Sequence, residues 1–270
     1  MKSWIIPATL LAAGLVAGPA TAGAATHSQE ALANAAAGDH RAEHNVARDV
    51  ARNPVETLEF FGFHPSLTII EVYPGAGWYT EILAPAVGDH GQLIAAHFDA
   101  AATSEYMQRV RAEYLAKLAA EPDVYGDVTV ISYAPGSDEG LGLPGSADLV
   151  LTFRGLHGFH RNDALDKFFT DAFNVLKSGG TLGVVQHRAR PGAPPEEGGY
   201  MPQDYVVAQA EAAGFTLDAS AEINANPRDT ADHAGGVWAL PPTLRHGDEN
   251  REKYVAIGES DRMTLRFVKP

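Results

Sequence analysis

Short apolar runs alternate with amphipathic stretches through most of the chain, which predicts strands that are followed by helices. The strands are predicted at Leu67 to Val72, Gln92 to Phe98, Val128 to Tyr133, Ala147 to Phe153, Thr181 to His187 and Thr216 to Ala221. Helical spacing is found between them at Trp78 to Val87, Ser104 to Ala120, Ala164 to Leu176 and Pro202 to Ala213. This alternation is typical of a parallel sheet covered by helices on both faces.

The two ends of the chain extend this pattern. Met263 to Val268 alternates like an edge strand, and we expect it to close the sheet antiparallel to the other strands. Before the first strand, a helix is predicted at His40 to Arg52 and another at Pro54 to Phe63. The predicted fold class is therefore α/β, with a doubly wound, mostly parallel, seven-stranded sheet.

The first residues have the pattern of a secretory signal. Lys2 precedes an apolar stretch from Trp4 to Val16, and small residues around Ala22 offer cleavage sites. The stretch is shorter than the roughly 20 residues of a membrane span. We expect residues 1–24 to be a signal peptide, 25–53 a helical lead-in, and 54–270 a single α/β domain with a C-terminal extension. The protein should be exported to the periplasm or secreted, without a membrane span after cleavage.

Composition narrows the functional classes. The chain has 270 residues and a formal net charge of −14, which argues against a general nucleic-acid-binding surface but allows a local basic patch. It contains no cysteine, so disulfides and thiolate chemistry are excluded.

The turn after the first strand has the features of a ligand site. Gly75 and Gly77 let backbone N–H groups approach a ligand closely, and the helix that begins near Trp78 points its N-terminus at the turn. An ordinary strand-turn-helix corner has the same local pattern. The features that follow along the chain favour the ligand site.

These features resemble a known family in their order and spacing. They are the run Glu71-Val-Tyr-Pro-Gly75-Ala-Gly77, Asp99 after the second strand, Asp138 after the third, the fourth-strand motif from Ala147 to His157, and Leu176-Lys-Ser-Gly-Gly180. Together they resemble class I S-adenosylmethionine-dependent methyltransferases, over about Leu67 to Ala221. The turn, with the ending Gly258-Glu-Ser-Asp-Arg-Met-Thr-Leu-Arg-Phe267, is also similar to a bacterial methyltransferase-like group, many members of which carry export signals.

The resemblance implies a Rossmann-like methyltransferase fold, S-adenosylmethionine as cofactor, and roles for individual residues. Glu71 would fix the glycine turn and the ammonium end of the cofactor, while Gly75 and Gly77 would lie against it. Asp99 would accept the ribose hydroxyls, and Asp138 would face the adenine amino group. Asp99 also fits a simple helix N-cap, and Asp138 a solvated turn acid.

The turn departs from the family pattern at its start. Tyr73 stands where the family has its first glycine, and Pro74 stiffens the turn. His97 lies nearer than Asp99 to the usual strand-end acid, although a carboxylate accepts two hydroxyls better than an imidazole. We expect Tyr73 to border the cofactor, and Trp78 either to cover its thioether or to shape the acceptor pocket.

The end of the fourth strand supplies candidates for the acceptor side. His157 could act as a general base, and it could equally be a packed histidine. Arg154 could hold a substrate carboxylate, or pair with an internal acid such as Glu71. Four histidines also allow a zinc or copper interpretation, although we predict no metal site: His157, His160, His187 and His233.

The leading hypothesis is methyl transfer from S-adenosylmethionine to a small or medium acceptor molecule. Because that cofactor is made in the cytosol, export favours an alternative: a non-catalytic protein that binds another small ligand or a metal on the same fold. A metal-dependent enzyme is a third hypothesis. The sequence does not predict an oligomeric state.

Overall fold

A computed structural model describes residues 19–270, with side chains from residue 26 onward. Most of the predicted signal peptide, residues 1–18, lies outside this part. Within the described residues, no helix combines the length and the apolar character needed to cross a bilayer.

One sheet organises the chain. Its strands are β1 (Thr68–Val72), β2 (Gln92–Phe98), β3 (Thr129–Tyr133), β4 (Ala147–Phe153), β5 (Leu176–His187), β6 (Thr216–Ala221) and β7 (Arg262–Val268). They are ordered β3-β2-β1-β4-β5-β7-β6. Neighbouring strands from β3 to β5 are parallel, and β7 is antiparallel to both β5 and β6. The predicted seven-stranded, mostly parallel α/β sheet is confirmed.

Helices cover both faces of the sheet. They are α1 (Pro19–Ala36), α2 (Glu43–Val46), α3 (Asp49–Arg52), α4 (Pro54–Phe60), α5 (Thr80–Ala86), α6 (Glu105–Ala120), α7 (Pro122–Tyr125), α8 (Leu156–Arg161), α9 (Leu165–Val175), α10 (Gln203–Ala212) and α11 (Arg251–Ile257). One core contains Leu32, Leu58 and Ile82 from α1, α4 and α5, and the other contains Phe168 and Val206 from α9 and α10. The apolar strands are therefore shielded from water on both sides.

The helix predicted at His40 to Arg52 is divided into α2 and α3. Between and before these short helices, Arg41 donates to the carbonyl of Ala36 and to the carboxylate of Asp49, while Arg48 turns towards Glu259. These tertiary contacts replace a continuous helix, whose stability in water would be marginal at this length.

The edge position predicted for the last strand is wrong, because β7 lies between β5 and β6. Its alternating polar residues are covered by other segments: Arg262 and Thr264 are buried, and Arg266 is half-buried. Thr264 accepts a hydrogen bond from Asn224 (3.0 Å), and Arg266 donates to the carbonyl of Phe60 (2.7 Å). The edge strand on this side of the sheet is β6, in which residues alternate between exposed and half-buried.

Glu259, just before β7, ties the N-terminal helices to the sheet. Its carboxylate is 2.6 Å from Arg48 Nε, 3.2 Å from Arg52 Nε and 2.9 Å from Arg262 Nη2. Burial opposes ionisation of Glu259, but the arginines, above all Arg52 and Arg262, outweigh it and hold the pKa at about 2. The glutamate is therefore charged at neutral pH and joins segments from both ends of the described chain.

Replacing Glu259 with Gln should lower the free energy of unfolding at neutral pH by about 3–5 kcal/mol, because buried guanidinium groups lose their counter-charge. Because the pKa of Glu259 is lower in the folded protein than its ordinary 4.5, this stabilisation is present above that pH and is lost as the pH falls towards 2. Urea unfolding followed by circular dichroism measures both effects.

Glu222→Gln is the matched control. Glu222 also pairs with an arginine, Arg188, but its side chain is 66% exposed, so the loss should stay below about 1 kcal/mol. Equal stability of the Glu259→Gln variant and the parent protein would contradict this role of Glu259.

Candidate functional site

The candidate site lies between β1 and β4, where the order of the strands in the sheet reverses. In an open α/β sheet, this switch point forms a crevice at the carboxyl ends of the strands. The glycine turn follows β1 there, and Arg154 follows β4. Tyr73, Gly75 and Gly77 all have positive φ angles, of 53°, 63° and 86°, which fold the turn tightly before α5.

Glu71 is buried at the base of the turn, with only 1% of its surface exposed. Its Oε2 accepts a hydrogen bond of 2.6 Å from Thr80 Oγ1, at the beginning of α5. Burial raises the pKa of Glu71 to about 7, although Thr80 and Lys117 act in the opposite direction. This carboxyl group therefore links β1 to α5 and is poised to change its charge near neutral pH.

The two glycines of the turn have different surroundings. A Cβ atom on Gly75 would have no atom of the described residues within 4 Å, so this residue borders open space among them. A Cβ on Gly77 would lie 3.1 Å from Cε2 of Tyr114, so this glycine allows close packing against α6. Both glycines are predicted to lie against a ligand. Only Gly75 has open space beside it among the described residues, whereas Gly77 packs against Tyr114.

His97 positions the turn. Its Nδ1 accepts a hydrogen bond from the N–H of Phe98 (2.8 Å), so its Nε2 carries the proton that is donated to the carbonyl of Gly75 (3.0 Å). Its ring is buried, which lowers its pKa. Both ring nitrogens are thus engaged, and Asp99 is the strand-end acid that remains exposed, with Oδ1 accepting from the N–H of Ala101 (2.8 Å).

Tyr73 fills the side of the crevice that a glycine would leave empty. Its ring centroid lies 4.5 Å from Phe98, 5.8 Å from Tyr133 and 5.0 Å from Phe159. Its hydroxyl donates to the carbonyl of Tyr133 (3.3 Å). Burial and then the negative charge of Asp99 raise the pKa of Tyr73 to about 12. The departure from the family pattern thus builds an aromatic wall beside Asp99.

Trp78 and Tyr79 face different partners. Trp78 Nε1 donates to the carbonyl of Asn45 (3.1 Å), and the Cζ of Arg52 lies 4.6 Å from its ring centroid. Trp78 thus packs against the N-terminal helices. Tyr79 is the one that stacks on Phe153 at the end of β4, with ring centroids 3.5 Å apart.

Asp138 is exposed in the long turn after β3. The residue that holds this turn is one that sequence reasoning missed, Asp171 in α9. Its Oδ2 accepts from the hydroxyl of Tyr133 (3.0 Å) and from the N–H of Gly136 (2.9 Å).

Arg154 does not pair with Glu71. It lies near Arg262, Glu259 and Arg48; burial and then Arg262 lower its pKa to about 10, so it stays protonated at neutral pH. Its backbone N–H donates to the carbonyl of Val185 (2.6 Å). Within the described part of the chain, its guanidinium makes no hydrogen bond or ion pair.

His157 is placed as a hydrogen-bond donor more than as a base. Its Nδ1 is 3.4 Å from Nε2 of Gln186, an amide donor, which leaves the proton on the imidazole Nε2. Burial, followed by the charges of Arg161 and Arg154, lowers its pKa to about 4. A group with this pKa is neutral at pH 7 but accepts a proton weakly.

A cavity of about 400 Å³ opens beside Arg154. Its lining includes Arg154, His187, Trp238, Pro241, Glu259 and Ser260. His187 Nδ1 is 2.6 Å from Ser260 Oγ. Most of these residues lie in the C-terminal extension, which follows β6. Sequence reasoning did not predict them as site residues, although the run Gly258-Glu-Ser-Asp-Arg262 had been noted for its similarity to the methyltransferase-like group.

The four histidines that allowed a metal interpretation are engaged with different partners. His160 Nδ1 is 3.2 Å from the hydroxyl of Tyr205, and His233 Nε2 is 2.9 Å from Asp229 Oδ1. The rings of His157 and His187 are 5.8 Å apart. The described residues contain no group of three or more side chains arranged to hold a metal ion.

Comparison with known proteins identifies the fold. No family model and no curated protein sequence matches the chain. A methyltransferase structure from Aquifex aeolicus, described as S-adenosylmethionine-dependent, is 18% identical and covers 83% of this chain and 93% of its own, with a TM-score of 0.55. The [4+2]-cyclase SpnF is 16% identical and covers 90% and 93%, with a TM-score of 0.59.

A third structure is geranyl diphosphate C-methyltransferase from Streptomyces coelicolor A3(2), solved with Mg²⁺, geranyl diphosphate and S-adenosyl-L-homocysteine. It is 11% identical and covers 94% of this chain and 99% of its own, with a TM-score of 0.58. The predicted Rossmann-like methyltransferase fold is therefore confirmed. At these identities the likeness concerns the fold alone.

The His157 imidazole should titrate with a midpoint near pH 4 in the folded protein. Because this value lies below the ordinary 6.5, the neutral form stabilises the fold above that pH, and the contribution is lost as the pH falls from 6.5 towards 4. NMR of the imidazole carbon-bound protons measures the midpoint, and His157→Asn assigns the resonance. A midpoint at the ordinary value would contradict the buried environment.

Proposed function

We propose that this protein transfers a methyl group from S-adenosylmethionine to a small or medium acceptor molecule. The observation that carries the proposal is the glycine turn at the switch point, with a buried acid at its base and open space beside Gly75. Class I methyltransferase-like architecture supports the same assignment. The bound cofactor would supply an activated methyl group, and the protein's part would be to bind and orient the two reactants.

The residues of the turn fit such a cofactor. Gly75 offers an open flank to a ligand, and the exposed carboxylate of Asp99 can accept hydrogen bonds from the ribose diol. Glu71 acts from beneath the turn, through Thr80, and its negative form would favour a nearby ammonium group. Tyr73 and Phe98 add aromatic surface of the kind on which an adenine ring packs.

The acceptor side lacks a strong base in His157, whose imidazole is neutral and weakly basic. The N–H group at its Nε2 can instead donate a hydrogen bond to the methyl acceptor and so orient that molecule. This arrangement favours an acceptor that is already nucleophilic near neutral pH, because little proton removal is then required.

The alternative proposal is that this protein binds another small ligand or a metal and has no transferase activity. The observation that favours it is the Tyr73 ring, which occupies the side of the crevice where a glycine would leave room. A structure with this fold is described as a [4+2]-cyclase, so the fold by itself does not specify methyl transfer.

Export is a further part of the proposal. It rests on Lys2, the apolar run that follows, and the small residues around Ala22. A reporter that is active only outside the cytoplasm, fused after residue 30, should be active, whereas the same fusion lacking residues 1–24 should be silent. Activity of both fusions, or of neither, would contradict export through this segment.

Isothermal titration calorimetry of the purified protein with S-adenosylmethionine and S-adenosylhomocysteine tests the cofactor assignment. We expect saturable binding with a Kd below about 1 mM. Asp99→Asn should weaken it at least about fivefold, since a charge-assisted hydrogen bond is lost. Asp166→Asn, an exposed acid in α9, is the matched control and should change nothing. Absence of binding to both compounds would refute the proposal.

Glu71→Gln should separate a functional acid from a structural one. Because burial raises the pKa of Glu71 above its ordinary 4.5 to about 7, the folded state favours the protonated form, and this favourable contribution is lost as the pH rises through 7. The variant should therefore be more stable than the parent protein at about pH 8, by roughly 1–3 kcal/mol, yet bind the cofactor more weakly.

Urea unfolding and calorimetry on the same samples measure the two changes. Lower stability together with unchanged cofactor affinity would show that Glu71 serves the fold only.

A further inference from the structure

The cavity at the carboxyl ends of β4 and β5 combines a cationic side with an apolar side. Arg154 supplies the positive charge of the first side, next to the imidazole of His187, which burial keeps uncharged at neutral pH, and the carboxylate of Glu259. Val237, Trp238 and Pro241 form the second. A ligand that fits both must carry an anionic or strongly hydrogen-bonding group on a body with apolar surface.

Positive charge is concentrated around this cavity although the chain is acidic overall, with a formal net charge of −14. Arg48, Arg52 and Arg262 already share the single carboxylate of Glu259. Arg154 is a fourth guanidinium near the same carboxylate. Since buried cations require counter-charge, the group has more positive charge than Glu259 can balance.

Two further arginines lie at the apolar side. The Cζ atoms of Arg161 and Arg245 are 5.1 Å and 4.8 Å from the centroid of Trp238. Arg161 also approaches Glu196 at 3.7 Å, and Arg245 donates to the carbonyl of Gly235. They add positive potential beside the cavity, which attracts anions.

Arg154 differs from the other arginines in this group. Each of the three that contact Glu259 makes an ion pair, whereas the guanidinium of Arg154 makes neither an ion pair nor a hydrogen bond within residues 26–270. It lines the cavity, and its backbone is held in an uncommon conformation, with φ of 63°. Its five N–H donors match the geometry of a carboxylate or a phosphate.

We propose that this cavity binds the anionic group of the methyl acceptor, a carboxylate or a phosphate, with Arg154 as its main contact and Trp238 beside the apolar body. That the anion belongs to the methyl acceptor rests on the proposed function, whereas anion binding itself does not. The site lies at the same edge of the sheet as the glycine turn, so an anchored ligand would reach towards the crevice between β1 and β4.

Calorimetric titration of the purified protein with three small probes tests the proposal. Benzoate and phenyl phosphate carry the two anions on the same aromatic body, and benzyl alcohol is their neutral counterpart. We expect at least one anion to bind saturably, and benzyl alcohol to bind at least about tenfold more weakly. The anion that binds more tightly identifies the acceptor class. Failure of both anions at about 10 mM, or equal binding of benzyl alcohol, would overturn the proposal.

Arg154→Gln should reduce the affinity for the anion at least about tenfold and leave the weak binding of benzyl alcohol unchanged. Arg109→Gln makes the same charge change on the exposed face of α6 and should have no effect. Equal loss in both variants would indicate long-range electrostatics and overturn the assignment to Arg154. If Arg154→Gln does not fold, Arg154→Lys takes its place. This variant keeps the charge but loses the paired donors, so its affinity for the anion should lie between that of the parent protein and the tenfold loss.

The outcomes separate this proposal from the proposed function. Anion binding that depends on Arg154, without binding of S-adenosylhomocysteine, would leave the anion site standing and refute methyl transfer. Binding of S-adenosylhomocysteine without any anion binding would refute the anion site and leave the proposed methyl transfer standing.

Discussion

The structure depends on one largely buried carboxylate, that of Glu259, which is shared by Arg48, Arg52 and Arg262. Charges removed from water must be neutralised within the protein, so these four groups hold together segments that are distant in the sequence. The contact joins α3 and the residue before it, Arg48, to the beginning of β7, next to the cavity. Among residues 26–270, the neighbouring guanidinium of Arg154 has no ion-pair or hydrogen-bond partner of its own, and it contributes positive charge to the cavity.

The two sides of the sheet's carboxyl edge have opposite electrostatic character. Glu71 and Asp99 place acidic groups around the glycine turn, whereas Arg154 and its neighbours make the β4–β5 side positive. A cationic sulfonium and ammonium on one side and an anionic acceptor on the other would both be favoured by this arrangement. Charge would then orient the two reactants before any specific contact forms, which is how the proposed function and the proposed anion site fit together.

The glycine turn is a modified version of the pattern that it resembles. Tyr73 adopts a positive φ angle, which is unfavourable for a bulky residue, and its ring is held by Phe98, Tyr133 and Phe159. Packing within the aromatic cluster compensates for the backbone strain. The fold is shared with proteins of different described activities, so the chemistry must come from such local features and not from the architecture.

The sequence by itself determined most of the strands and the turn, because their signals are local: β2, β4 and β6 begin and end where they are predicted, whereas β5 begins at Leu176 and not at Thr181. It also placed Glu71 and the two glycines at the carboxyl end of β1. Tertiary structure alone decided the interior position of β7, because alternation shows that residues differ in environment, not whether protein or water covers the polar ones. It likewise decided that Arg154 lies near Glu259 and not beside Glu71, and that His157 is a weak base. The surroundings of Arg154 and the low basicity of His157 both depend on burial and on charged residues that are distant in the sequence. The spacing of residues along the chain does not predict which of them come together in the folded protein.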